Sequence, residues 1–459
     1  MWNSTSLRTA GTATLLLLLA ASADAATETE ELQALREQIR QLDQKVRVLE
    51  RNQELKDETQ AAEAKKSAKL TVSDGRVSFA SADGANSLRL RGLVQADARW
   101  YESDRGSNDN FVIRRARIGL EGTYSKIASY QVVGEFGGSS PSLLDANVTV
   151  QPSKAFGVKI GRFRSPVGLE QLQSASALAF VERSLATNLI PNRDLGLQLQ
   201  GTFGGGTTDY AVGVFNGAPD RTSIGNSTDF DNQVHLAGRI FVSPFKTTED
   251  SALKGLGFGL AGSVGESKGT SGYGSYVSSG QQKIFAYSST TVASGTTWRL
   301  SPQANLYAGP FSAQAEYVIS SQKLTNGGAP RTVEHKAWQL TAGYVLTGED
   351  AGYGGVAPKQ PFNPTNGTWG AWEVVFRAAS LDIDNDVFGG SGALANANSA
   401  VSKDTSFGFG VNWYLTKSLK AALSVNRDSF DLAPGATPAA TSILNDPELS
   451  VFSRVQLSF

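Results

Sequence analysis

From Leu88 to Phe459 apolar and polar side chains alternate with a period of two, block after block. That period belongs to extended strands with one greasy and one wetted face. In Leu88–Trp100, Leu88, Leu90, Val94, Ala96, Ala98 and Trp100 share one face, while Arg89, Arg91, Gln95, Asp97 and Arg99 share the other. Like blocks run near 111–124, 128–137, 143–151, 155–164, 194–203, 208–217, 233–243 and 255–264. They continue near 297–308, 311–320, 335–347, 370–382, 405–415, 419–430 and 449–459, which makes sixteen predicted strands. Gaps after odd-numbered strands are mostly long (165–193, 218–232, 265–296, 383–404, 431–448), whereas Ser125–Ile127, Gly309–Pro310 and Thr416–Ser418 are tight. The stretches 244–254 and 348–369 are too long for tight turns and leave the strand count open by two.

The chain before this pattern is of another kind. Arg8, the leucine-rich run Thr12–Ala21 and Ala23-Asp24-Ala25 supply the charge, apolar core and small residues of an export signal, so residues 1–25 are expected to be removed. Within residues 26–69, Leu32, Leu35, Ile39, Leu42, Val46 and Leu49 alternate spacings of three and four, the seam of a short periplasmic coiled-coil oligomerisation helix. Branched residues at a with Leu at d favour two strands on their own. Residues 70–87 read as a linker or small hairpin.

Composition narrows the chemistry. Lys+Arg 42 against Asp+Glu 43 gives a net charge of -1, which offers no footing for nucleic acid. Cys 0 excludes thiolate metal sites and cysteine nucleophiles, and His 2 leaves little for zinc or a Ser-His-Asp hydrolase. The expectation is therefore no enzyme, no cofactor and no metal. Gly257–Gly262 has a dinucleotide-binding spacing without a βαβ context, and Gly265–Gly269 a nucleophile-elbow spacing without a strand–turn–helix. Asp382–Asp386 reads as a solvated acidic loop rather than a cation site. After the N-terminus no apolar run is long enough for a membrane-spanning helix.

Strands with one apolar face can still cross a membrane, because a closed barrel satisfies every backbone N–H and C=O. The fold class expected is an all-β transmembrane barrel of sixteen antiparallel strands over residues 88–459, preceded by the short coiled-coil helix. The last strand alternates up to a terminal aromatic, Phe459, as closing strands of bacterial outer-membrane barrels do. Trp100, Tyr101, Trp298, Tyr307, Trp338, Trp369, Trp372, Trp413 and Tyr414 stand near strand ends, where interfacial girdles belong.

Several segments resemble the phosphate- and polyphosphate-selective porins: Phe111-Val-Ile-Arg-Arg-Ala-Arg117, Val158–Phe163 followed by Gly168-Leu-Glu170, and Glu182-Arg183. Phe311–Tyr317, Leu346–Glu349, Gly370–Val374 and Gly410–Tyr414 resemble the same family in the same order. The resemblance implies a homotrimer in the bacterial outer membrane, with loop 165–193 folded inward as the constriction. It also implies passive diffusion of small anions: phosphate, pyrophosphate and chloride. The trimer takes precedence over the two-strand preference of the heptads.

Charge on the lumen face should then set selectivity. Arg89, Arg91, Arg99, Arg115, Arg117, Lys159, Arg239 and Arg377 fall on the polar faces of their strands, and Arg183 matches the family's loop arginine. Guanidinium presents a fixed donor fork that suits phosphate oxygens. The competing reading is a weakly selective general or carbohydrate porin, in which these cations pair with Asp97, Glu121, Glu135, Asp145, Glu316 and Glu373. The chain departs from the family at the constriction. Gln171 stands where members with a phosphate site carry lysine, and Ser174 and Ala175 stand where they carry two serines. Leu93 replaces an arginine of the first strand, and the stretch 265–296 is rich in Ser and Gly rather than Arg.

Overall fold

The computed structural model describes residues 14–73, 76–102, 108–225, 231–248, 252–269, 273–390, 392–439 and 442–459. The first thirteen residues of the expected export signal lie outside them. Two compact units divide the chain, residues 1–68 and 69–459. In the first, Thr14–Lys66 is one helix, and Leu32, Leu35, Ile39, Leu42, Val46 and Leu49 are all exposed on it. None of the described helices is long and apolar enough to cross a membrane.

The second unit is a closed antiparallel barrel. Its strands are Ser87–Tyr101 (β1), Asn110–Tyr124 (β2), Ala128–Glu135 (β3), Ser142–Ser153 (β4), Phe156–Phe163 (β5), Asp194–Phe203 (β6), Thr208–Phe215 (β7) and His235–Val242 (β8). Gly257–Lys268 (β9), Val292–Ala308 (β10), Phe311–Thr325 (β11), Arg331–Val345 (β12), Ala371–Asp382 (β13), Val401–Tyr414 (β14), Leu419–Leu432 (β15) and Glu448–Ser458 (β16) complete it. Each strand pairs with its sequence neighbour, and β16 returns to β1 in the register Ser450↔Tyr101 to Ser458↔Leu93. The count of sixteen stands, because 243–256 and 346–370 connect neighbouring strands without adding one to the barrel. Short turns mark the periplasmic end and long loops the outer end.

Alternation dictates which way each side chain faces. Val455 and Leu457 are exposed on the outer surface of β16, while Arg454 and Gln456 are buried inside. Phe111, Ile118, Leu340, Phe376 and Phe407 are likewise left bare for lipid to cover. At the seam Phe459 exchanges backbone hydrogen bonds with Gly92, at 2.9 and 3.1 Å. The Phe459 ring then lies where a Gly92 side chain would be, since a Cβ there would sit 2.1 Å from the ring. A short hairpin, Lys69–Ser73 with Arg76–Ala80, extends the sheet by pairing Ser78–Ala80 with Ser87–Arg89.

Two expectations need correction. Tyr101, Tyr307 and Tyr414 do not join the interfacial girdle: all three turn inward, Tyr101 donating to the Gly280 carbonyl, Tyr307 accepting from Gln314 and Tyr414 donating to Glu373. The outer ends of β9 to β12 also run several residues beyond the predicted limits, to Lys268, from Val292, to Thr325 and from Arg331. There the inner face turns apolar, with Leu324 and Val333 buried against Tyr276, Ile284 and Phe285 of an outer loop, while Lys268, Lys323 and Thr332 face out; the greasy-out, polar-in pattern is lost while the backbone pairing continues. The stretch Gly257–Gly262 is part of a β9 ladder, paired with β10 throughout and with β8 from Phe258 onward.

Candidate functional site

The loop from Arg164 to Arg193, between β5 and β6, runs through the barrel interior. Its first turn depends on Gly168, whose φ is 88° and whose Cβ, if present, would lie 2.5 Å from Ile190 Cδ1. Only glycine accepts both the conformation and the crowding. The turn enters a short helix, Leu169–Leu172, whose first N–H groups donate to the Glu316 carboxylate of β11 at 2.7 and 3.3 Å. Arg377 of β13 donates to Glu170 at 2.6 Å and to the Glu182 carbonyl at 3.0 Å. Asn412 of β14 holds the Ala179 carbonyl and Lys420 of β15 the Leu178 carbonyl, each at 2.8 Å. Gln456 of β16 and Gln95 of β1 hold the carbonyls of Ser176 and Ala175, at 3.0 and 3.1 Å.

These bonds draw the loop against β11–β16, so open volume remains along β1–β5. Two cavities lie there. The outer one is about 300 Å³ and includes Arg114, Arg115, Arg117, Arg183, Arg193 and Arg221, with Glu182 the single carboxylate among the described residues. The inner one is about 520 Å³ and includes Arg76, Arg89, Arg91, Arg117, Lys159, Arg164 and Arg193, against Glu121 and Asp145. Arg117 and Arg193 line both, which places them at the junction.

The second strand builds the outer cavity through a bulge. Gln95 pairs with Arg115 but Ala96 pairs with Ile113, so Arg114 is an extra residue. A bulge turns two consecutive side chains to one face. Ile113 and Ile118 stay exposed to the outside, while Arg114 and Arg115 both line the cavity. Both meet Glu182 of the loop, at 2.6 and 3.7 Å, and Arg99 and Arg454 reach the same carboxylate at 3.0 and 3.1 Å. Asp97 shares Arg99 and Arg454. Four guanidiniums thus crowd two carboxylates, leaving net positive charge at the constriction. Burial opposes ionising Glu182, but Arg114, Arg115 and Arg454 outweigh it and hold its carboxyl well below the usual range. Among the described residues Arg183 donates to the carbonyls of Glu170 and Gln173, at 3.2 and 2.7 Å. Burial draws its pKa down to about 10, still cationic at neutral pH.

The sequence-derived candidates separate accordingly. Arg115, Arg117, Arg183 and Gln171 line the outer cavity; Arg89, Arg91, Lys159 and Ser174 line the inner one. Arg89 and Arg91 are half-exposed and share Glu121 at 3.1 and 2.8 Å, Arg117 pairs with Glu135 at 2.7 Å, and Lys159 lies over the Phe163 ring. Gln171 donates to Asn192 Oδ1 at 3.1 Å, and Ser174 shares a hydrogen bond with Ser176. Three candidates face inward away from these two cavities. Arg99 and Arg377 are buried in ion pairs that tether the loop, and Arg239 bonds Gln303 over the Phe241 ring, so none of them lines either cavity. Of the carboxylates expected as partners, Glu316 and Glu373 instead accept from backbone, Ser301, Asn412 and Tyr414.

Arg114, Arg164, Arg193 and Arg221 were not singled out by alternation. The bulge shifts Arg114 off the regular period, and the other three sit on loops, where no period exists. Among the described residues no group of acidic or histidine side chains is arranged to hold a metal.

The comparisons agree with this architecture. The model of the family described as phosphate-selective porin O and P matches residues 88–429. Porin O of Pseudomonas aeruginosa is 27% identical over 380 residues, 75% of this chain and 84% of that protein. The outer membrane channel DcaP of Acinetobacter baumannii shares the fold with a TM-score of 0.53 at 14% identity, over 82% of this chain and 98% of that one. An anion-selective porin from Comamonas acidovorans shares it with a TM-score of 0.51 at 15% identity, over 82% of this chain and 100% of that one. The chain is an outer-membrane porin and belongs to the phosphate-selective porin O and P family.

Proposed function

We propose that this porin passes small anions, phosphate and pyrophosphate among them, by passive diffusion along the β1–β5 side of the barrel. The observation that carries the reading is the charge of the two cavities: six arginines against one carboxylate outside, and seven cations against two inside. Pairing absorbs part of this charge, as Arg89, Arg91, Arg114, Arg117 and Arg193 each meet a carboxylate. It does not absorb it all. A series of partly engaged guanidiniums offers several weak sites, which conduction needs more than one tight site. The loop Arg164–Arg193 acts as the constriction, with Gln171 and Ser174 on its two sides. The family's description as phosphate-selective supports the anion reading, and Gln171 argues for weak phosphate retention.

Three copies assembling through the barrels and the heptad face of the helix belong to the same proposal, supported by the exposed row Leu32–Leu49. The test of the pathway is Arg117→Gln with Arg193→Gln, the pair common to both cavities. Chloride preference measured from reversal potentials should fall towards none. Unchanged preference in the double variant would move the ion path elsewhere.

A further inference from the structure

We infer that Arg221, on the loop between β7 and β8, is a specificity-determining residue: the cation that captures small oxyanions entering from the outer side. The inference rests on the proposed anion pathway and adds a direction to it. Its grounds lie in how Pro219-Asp-Arg-Thr222 is built.

Asp220 is fully buried and fixed. It accepts from Arg299 at 2.6 Å, Ser320 at 2.7 Å, Gln322 at 2.8 Å and the Tyr276 hydroxyl at 3.0 Å, three of these from the inner wall and one from the loop between β9 and β10. With Asp220 nailed to the wall, the next residue turns the other way. Arg221 has φ 59°, a left-handed conformation that a long side chain disfavours. Its N–H donates to the Ile190 carbonyl of the constriction loop at 3.0 Å, so that backbone is held from both sides.

The strained turn delivers the side chain into the outer cavity beside Arg114, Arg183 and Arg193. There the guanidinium engages the Ser275 carbonyl through Nη1 at 3.0 Å, and no described carboxylate lies within ion-pair distance of it. Arg114, Arg115, Arg117 and Arg193, by contrast, each meet a carboxylate. Arg183 has two of its nitrogens on loop carbonyls. Arg221 therefore keeps the largest uncommitted donor set of the outer cavity, and a bidentate fork suits an oxyanion. Its position outside the Arg117–Arg193 junction makes the effect one-sided.

The chain's Cys 0 permits a direct test in the full-length protein. A single Arg221→Cys variant in planar bilayers would be treated from the outer side with a cationic or an anionic thiol reagent. Inorganic phosphate would then be added to either side, and block of chloride current measured. Before modification, block by outer phosphate should be about tenfold weaker than in the parent protein, the loss expected for one charge-assisted hydrogen bond. Block by inner phosphate should change much less. The cationic reagent should restore the outer block, and the anionic reagent should abolish it. Equal block from both sides in the parent protein, or block indifferent to the charge at position 221, overturns the inference. A parent protein that prefers potassium would instead overturn the anion pathway, so the two failures are distinguishable. Arg221→Lys, which keeps the charge, serves as a second variant and should retain most of the outer block.

Discussion

Replacing Glu182 by glutamine should make the pore bind anions more strongly, although it removes a residue from a dense ion-pair network. The carboxylate sits among Arg99, Arg114, Arg115 and Arg454, at 2.6 to 3.7 Å. A permeating anion about 6 Å away feels one negative charge as a repulsion of about 0.7 kcal/mol in water-like surroundings and about 3 kcal/mol at an effective dielectric near 20. Removing it should tighten phosphate binding by about threefold to a hundredfold. The opposing effect is structural, because breaking a buried pair costs about 3–5 kcal/mol when the remaining charge is stranded. That cost is blunted here. Arg99 and Arg454 keep Asp97, and Arg115 keeps Gln95. Among the described residues Arg114 and Arg115 both lose their one carboxylate: Arg114 is a third exposed to the cavity, while buried Arg115 is left with the neutral Gln95 acceptor. The glutamine retains a carbonyl acceptor, and the Glu182 carbonyl bonded by Arg377 is untouched. The assay is phosphate block of chloride current in Glu182→Gln against the parent protein. Weaker block in the variant would show that the carboxylate arranges the arginines rather than opposing the anion, and would refute the electrostatic reasoning.

Other consequences follow from the same geometry. Because its neighbours hold Glu182 well below the ordinary carboxylate range, its ion pairs stabilise the loop at all pH values above that of a free carboxyl and are lost only as pH falls through the lowered value. Chloride preference should accordingly stay flat on acidification to about pH 4, checked by reversal potentials; a break near pH 5 would contradict it. Arg377→Met strands Glu170 and should loosen the constriction loop at a cost of about 3 kcal/mol, read as noisier single-channel current and faster passage of larger solutes. Gln171→Lys adds a cation to the outer cavity and should strengthen phosphate block severalfold; no change would mean that position 171 does not face the ion path. Gly92→Val places a side chain where the Phe459 ring lies, and should lower the temperature at which the folded form is lost on heat-modifiable gels. Leu35→Asp with Leu42→Asp should weaken the proposed trimer in cross-linking while leaving single-barrel conductance intact.

The barrel was legible because a membrane enforces it. Every spanning strand must show lipid one face and water the other, so Val455, Leu457, Phe376 and Phe407 alternate with inward residues whatever the neighbouring strands do. Where that demand lapses, the reading weakens: the outer ends of β9–β12 bury Leu324 and Val333 inward against loop residues Tyr276, Ile284 and Phe285, so their apolar positions no longer mark the lipid face. The inward direction of Arg99, Arg377 and Arg239 was also visible, but their role was not. Whether an inward guanidinium meets an ion or a protein carboxylate depends on which loop residue comes to rest against it, and Glu170 and Glu182 reach their partners across the barrel. Arg114 was hidden by a single extra residue in β2, and Arg193 and Arg221 by the absence of any period in loops. Gly168-Leu-Glu170 is a case where the motif had a structural cause: a left-handed glycine, a capped turn and an ion pair that anchor the constriction.

The most direct test of the account is the reversal potential of the unmodified protein in a planar bilayer under a potassium chloride gradient. An arginine-rich path along β1–β5 predicts a potential whose sign reports chloride as the favoured ion. A potential near zero, or one favouring potassium, would contradict it.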